Sequence, residues 1–290
     1  MPDNEADTIP MPASQQAANA SVDVRRRWEW FKMRVRLAQK WWLRAHTPYQ
    51  PLFVIATWRS GSNLLLSFLK QQPEVAMLSE VLCSRLAIGP SHDHLSAKQA
   101  IGHIQFCLQG ERTPIRGCKL MLPHLSNCNL SLDELDAAFP KAKYIVLYRQ
   151  SLAEQYVSLQ VAQATRQFRL GEGEQQQRIK IQVDAAELRH YCDDMRRRYH
   201  TTVHQPSLQG KAVLLSYEEL TAEPHYWLEQ HICPLLKVPF VAPETRVRKQ
   251  NTRSLAEQVT NYSEVAALLR SPLCQHKYQW PGQQPRRRAA

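Results

Sequence analysis

Residues 52–57, LFVIAT, and residues 144–148, YIVLY, are short apolar runs rich in β-branched and aromatic side chains. Unbroken apolar runs of this length, without polar alternation, fit strands covered on both faces, as in parallel sheets. The segments between and beyond them carry helical spacing. Residues 62–72 read as a helix stopped by Pro73, residues 132–139 as a short helix ending at Pro140, and residues 151–164 as a helix after the second run. Residues 184–204 place Leu188, Cys192, Met195 and Tyr199 on one face of a long helix. Residues 117–121 and 212–216 read as further strands, and residues 224–236 as another helix. The alternation predicts an α/β fold, a single domain with a mostly parallel central sheet flanked by helices. In such sheets ligands sit at the carboxyl ends of the strands. The residues following each apolar run are therefore the candidates for chemistry.

After the first run comes Thr57-Trp58-Arg59-Ser60-Gly61-Ser62-Asn63-Leu64-Leu65, a strand end, a tight turn and a helix start. Gly61 permits the turn and a close backbone approach. The amides at the helix start make an anion cradle, Ser60, Ser62 and Asn63 add polar groups, and Arg59 adds a charge that grips oxygens in a fork. An ordinary helix start with Ser as N-cap is the plainer alternative. The stretch is not a nucleotide-triphosphate loop, which needs a second Gly and a Lys. The second run is followed by Arg149, and the next helix carries Ser158 nine residues later. The two could hold a second phosphate group, or be a surface Arg and a helix-face Ser.

Charge and cysteine usage narrow the field. The net charge of +11 over 290 residues implies acidic partners. Residues 25–44 hold eight basic residues and one acid, with Val24, Trp28, Phe31, Val35, Ala38 and Trp42 at helical spacing. This predicts a basic amphipathic helix over residues 23–47. It would lie on an anionic membrane surface, or dock its aromatic stripe on its own domain or on a second subunit in a homodimer. Residues 1–22 and 282–290 read as disordered tails, leaving residues 48–281 as the folded domain. No run of 18 apolar residues suggests a spanning helix. The polar, acidic amino terminus lacks a secretory pattern. A cytoplasmic protein is expected, in part peripheral to the inner face of the membrane. The seven cysteines are scattered, with no C-x-x-C pair and no zinc spacing, so they read as reduced packing thiols and no metal site is expected.

Taken together, T-W-R-S-G-S-N-L-L and the strand-end Arg149 with helical Ser158 resemble the sulfotransferases that use 3′-phosphoadenosine-5′-phosphosulfate (PAPS). The resemblance covers roughly residues 50–265. The R-Q-S-L-A-E-Q-Y-V-S spacing is similar to the bacterial carbohydrate branch of the mycobacterial trehalose 2-sulfotransferases. Glu80 in M-L-S-E-V-L, Gly117-Cys118-Lys119-Leu120-Met121, and Leu215-Ser216-Tyr217-Glu218-Glu219-Leu220 resemble further segments of that family. The resemblance implies a P-loop-like sulfotransferase fold. It implies that Arg59, Ser60, Gly61, Ser62 and Asn63 bind the 5′-phosphosulfate, Arg149 and Ser158 the 3′-phosphate, and that Tyr217 lies by the adenine. It implies Glu80 as general base, with Arg59 also catalytic through the bridging oxygen. Residues 248–251, R-K-Q-N, fall where the family has a basic loop over the 3′-phosphate, though the expected Gly is absent. Lys119 would add charge at the sulfuryl group or pair with a surface acid. The acceptor implied is a hydroxyl of a carbohydrate or glycolipid, and no metal or nucleic acid is expected. His92 and His94 read as a polar acceptor-side loop, and the loops over residues 80–116 and 164–183 as the acceptor pocket.

Two other readings compete. A kinase-like nucleotide-dependent transferase is disfavoured by the missing phosphate-loop Lys and the missing Mg²⁺-binding acid after a strand. A catalytically silent basic protein that binds membranes or anions is favoured by residues 25–44, but leaves both phosphate motifs and Glu80 without a purpose.

Overall fold

The computed structural model describes residues 47–83, 95–168, 177–244 and 253–280. The expected basic helix, both tails, His92, His94 and the R-K-Q-N stretch lie outside the described residues.

Five strands, β1 (Gln50–Ala56), β2 (Val75–Glu80), β3 (Ile115–Met121), β4 (Lys143–Tyr148) and β5 (Ala212–Ser216), form one sheet in the order β2-β3-β1-β4-β5. Every pairing between these five strands is parallel. The α/β fold with a mostly parallel central sheet is thus what the chain adopts. β1 shows why its sequence does not alternate. Phe53 and Ile55 enter one core, Leu52, Val54 and Ala56 the other, and all five are fully buried. On the Phe53 face, the sheet is covered by α2 (Ala97–Gln109), α3 (Leu122–Asn127) and α4 (Leu132–Ala138), with the end of the long helix α6 (Ala185–Val203). On the other face lie α1 (Ser62–Leu69), α7 (Tyr217–Ala222) and the segment beyond it. A third cluster joins α5 (Leu152–Thr165) to α6 and the carboxyl-terminal helices.

Two expectations are corrected. Residues 80–116 are not all loop, because α2 occupies Ala97–Gln109. Its start is written in the sequence as a capping box, Ser96 with Gln99, and Ala100, Ile104, Cys107 and Leu108 form its buried stripe. The helix over residues 224–236 is not continuous, since a π turn spans Leu228–Ile232. Pro234 lacks the N–H for the next α-helical bond and its ring crowds the carbonyl four residues back, so the ladder slips there.

The strand order also decides where a ligand can sit. β1 and β4 are neighbours, yet the chain leaves β1 toward β2 on one side and leaves β4 toward β5 on the other. Their diverging connections open a crevice at the carboxyl edge, the switch point at which open α/β sheets bind ligands. The loop carrying Arg59 and the strand end carrying Arg149 flank it.

Candidate active site

The turn after β1 is clamped from below. The Thr57 N–H donates to the Tyr199 hydroxyl at 3.1 Å, and that hydroxyl donates to the Leu147 carbonyl at 2.8 Å. Gln155 Nε2 donates to Thr57 Oγ1 at 2.9 Å and to the Trp58 carbonyl at 2.7 Å. Ser60, fully buried, turns its hydroxyl inward onto the Thr57 carbonyl at 2.8 Å. The chain then reverses through two left-handed residues, Arg59 at φ 61° and Gly61 at φ 86°. Gly61, and not a Ser, is the N-cap of α1. It has to be Gly for a second reason. The Tyr217 ring lies against it, and a Cβ at this position would overlap the ring, within 2.9 Å of Cε2.

The two arginines meet over this turn. Arg149 Nη1 donates to the Arg59 carbonyl at 3.4 Å. The Arg149 guanidinium stacks on the Tyr217 ring at 4.6 Å, pairs with Glu154 at 2.7 Å and faces Glu218 at 3.6 Å. Its buried Nε, the atom that faces Glu218, makes no hydrogen bond among the described residues. Arg59 Nε donates to Ser158 Oγ at 3.0 Å, and Nη1 to the Phe168 carbonyl at 2.9 Å. Burial lowers the Arg59 pKa and the nearby Arg149 charge lowers it further, against a smaller opposing effect of Tyr217. Two guanidiniums held together and partly desolvated make a site that an anion would relieve.

A second polar group stands at the same edge. Glu80 is the last residue of β2, and a register shift between Leu78 and Glu80 sets it opposite Lys119 of β3. Such an irregularity re-aims the side chain at a strand end. Lys119, 2% exposed, reaches Glu80 Oε1 at 2.8 Å and Asn63 Oδ1 at 3.0 Å. This ties the base of the loop helix to the β2 edge. His124 of α3 lies beside the pair, and the exposed Trp58 touches its ring edge-on at 6.0 Å between centroids. Burial lowers the His124 pKa, with Glu80 opposing and Lys119 reinforcing the effect.

The structure thus brings Arg59, Gly61, Arg149, Ser158 and Tyr217 into one contact network, and links Asn63 to Glu80 through Lys119. It pairs Ser158 with Arg59, where the family resemblance pairs it with Arg149. Ser60 serves the turn with its side chain, and Ser62 is buried at the start of α1. Lys119 pairs with Glu80 and not with a surface acid. Sequence reasoning missed Gln155, Tyr199, Glu218 and His124. Tyr199 looked like one more apolar residue on its helix face, and only the fold shows where its hydroxyl goes. Glu218 sat in the noted Y-E-E-L stretch. It accepts from the amides of Gln150 at 2.9 Å and Ser151 at 3.4 Å, at the start of α5.

Comparison with known proteins agrees in kind. A model of the sulfotransferase family matches residues 115–242, which include Lys119, Arg149, Ser158 and Tyr217. Nodulation protein H of Rhizobium tropici is 24% identical over 225 residues, 74% of this chain and 88% of that protein. Two solved structures are more distant. A sulfotransferase from Alicyclobacillus acidocaldarius is 12% identical with a TM-score of 0.42, over 77% of this chain and 91% of that one. The sulfotransferase domain from the curacin biosynthetic pathway is 16% identical with a TM-score of 0.43, over 73% and 82%. Neither structural likeness is close enough to bear on function. The likeness to the sulfotransferase family model is confined to residues 115–242.

Proposed function

We propose that this protein is a PAPS-dependent sulfotransferase acting on a hydroxyl of a carbohydrate or glycolipid, with Glu80 as the general base. The observation that carries the reading is the meeting of Arg59 and Arg149 over the Gly61 turn, whose helix is tied through Asn63 to the Lys119–Glu80 pair. The residues present fit a doubly anionic nucleotide. The buried Arg149 Nε has no hydrogen-bond partner among the described residues, and the missing Cβ of Gly61 lets an aromatic ring close on the turn. Arg59, the amides at the start of α1 and Asn63 would hold the 5′ end, Arg149 the 3′-phosphate, and Tyr217 would flank the nucleoside. Bound there, the donor supplies a sulfuryl group with a phosphate as leaving group.

The chain's own contribution is position and charge. Arg59 is pre-aimed by Ser158 and by the Phe168 carbonyl, so little reorganisation is left when negative charge develops near it. Lys119 places a buried positive charge between the loop helix and Glu80. Glu80, with Oε1 on Lys119, takes the acceptor hydroxyl's proton on its carboxylate, a step worth roughly 10²–10⁴-fold. Trp58, 40% exposed beside His124, offers an indole face on which a sugar ring can stack. Together with the trehalose-branch resemblance, this supports the carbohydrate acceptor. Residues 25–44 would bring the enzyme to an anionic membrane surface if the acceptor is a glycolipid.

Calorimetry with nucleotides tests the reading. Adenosine 3′,5′-bisphosphate should bind without Mg²⁺ and better than the 5′-monophosphate by about 1.5–3 kcal/mol for each charge-assisted bond. Arg149→Ala should erase most of that preference. Equal affinity for the two nucleotides would remove the assignment.

A further inference from the structure

Beside the Glu80–Lys119 pair stand two groups that sulfuryl transfer does not use, Cys83 and His124. Ligand atoms of Glu80, Cys83 and His124 all lie within 4.8 Å of one another. The three side chains come from the end of β2, the turn after it and α3. Glu80 ends β2, and Cys83 lies in the turn after it. Val81 and Leu82 of that turn are buried, and the Val81 carbonyl contacts His103 Nε2 of α2 at 3.1 Å. His124 is on α3, which starts at the end of β3.

Each group has a ligand atom to offer. Glu80 meets Lys119 through Oε1, and the carboxylate has a second oxygen. His124 Nδ1 is buried and has no hydrogen-bond partner among the described residues. Cys83 is a free thiol and, unlike the other six cysteines, is partly exposed. One carboxylate, one thiol and one imidazole form a mixed donor set. Such a set suits a borderline-soft divalent ion, and suits Mg²⁺ or Ca²⁺ poorly. In a tetrahedral zinc site, ligand atoms stand about 3.5 Å apart, as bonds of 2.0–2.3 Å require. From within 4.8 Å of one another, the ligand atoms would have to close by up to about 1.3 Å.

We propose that Glu80, Cys83 and His124 form a binding site for Zn²⁺ or a similar divalent transition metal at the acceptor side of the crevice. Three protein ligands leave a fourth position open to water. Binding replaces the Cys83 thiol proton, which passes to solvent, so the ion meets a thiolate. Metal coordination and proton acceptance compete for the same carboxylate. The metal-loaded protein is therefore inhibited as a transferase. That consequence rests on Glu80 as the base, whereas the binding site does not.

The test uses the full chain stripped with a chelator and titrated with Zn²⁺ alone, then with Co²⁺ as a spectroscopic substitute. One ion per chain is expected, with a thiolate-to-cobalt charge-transfer band. Cys83→Ser should abolish the band and weaken Zn²⁺ binding by about 10²-fold, and His124→Gln should weaken it to a similar extent. Cys128→Ser, on a buried cysteine outside the cluster, should change neither. Melting of the metal-free variants shows whether each still folds. If Cys83→Ser does not fold, His124→Gln carries the test. No uptake by the wild-type chain, no thiolate band, or wild-type affinity in a folded Cys83→Ser or His124→Gln protein would overturn the site. Zn²⁺ should also lower turnover of the wild type but not of Cys83→Ser. Zinc bound with full turnover would overturn the inhibition and leave the titration result standing.

Discussion

Glu80→Gln separates the chemical role of this residue from its structural one. Read from sequence, the substitution is isosteric and should leave stability nearly unchanged. The structure predicts otherwise. Lys119 is 2% exposed and its ammonium is 2.8 Å from Glu80 Oε1, on a carboxylate that is itself only 20% exposed. Gln at position 80 keeps a hydrogen-bond acceptor there but removes the countercharge, while Asn63 Oδ1 remains on the ammonium at 3.0 Å. Breaking a buried pair from one side costs about 3–5 kcal/mol, and a hydrogen bond to a charged group is worth about 1.5–3. With a neutral acceptor retained and part of the carboxylate in water, about 2 kcal/mol is expected. That corresponds to a melting shift of roughly 4–8 °C. Urea denaturation of Glu80→Gln, Lys119→Met and the double variant measures the coupling, which should also be about 2 kcal/mol. If Glu80→Gln costs the same in the Lys119→Met background as in the wild type, to within about 0.5 kcal/mol, the pair is not a stabilising unit. Turnover is read separately with the folded variant at a temperature below its transition. A fall of roughly 10²-fold or more supports Glu80 as the base, and a change of only a few-fold refutes it.

Three further outcomes follow from the loop geometry. Gly61→Ala should destabilise by about 1–2 kcal/mol from its left-handed backbone alone, and by more from overlap with Tyr217. Adding Tyr217→Ala should recover the overlap part only, and full recovery in denaturation experiments would show that the backbone term is absent. Ser158→Ala should weaken adenosine 3′,5′-bisphosphate by about 10-fold or more, since it frees Arg59. The same change should add little in an Arg59→Ala background, and strict additivity in calorimetry would disprove the contact. Tyr199→Phe removes the hydroxyl that serves both the Thr57 amide and the Leu147 carbonyl. A loss of about 1–3 kcal/mol with weaker nucleotide binding is expected, and a variant melting with the wild type would rule out the clamp.

Local patterns carried much of this protein. The strands β1 and β4 announce themselves because a strand buried on both faces needs apolar residues at every position. Gly61 and the polar residues around it mark a turn because few other sequences tolerate that backbone. Ser151 and Asp184 cap α5 and α6 close to where the pattern predicts, since caps are satisfied by neighbours in the chain. The α2 capping box at Ser96 is equally legible. The contacts that make the site were not legible. Only the order β2-β3-β1-β4-β5 sets Arg59 beside Arg149, and only the shift in β2 sets Glu80 opposite Lys119. Ser158 turns to Arg59, and Cys83 and His124 converge on Glu80, because packing of whole elements fixes distances that spacing along the chain leaves open. Periodicity and turn chemistry are properties of a few consecutive residues. A site at a switch point is a property of how strands are ordered, and that order minimises the free energy of the entire core.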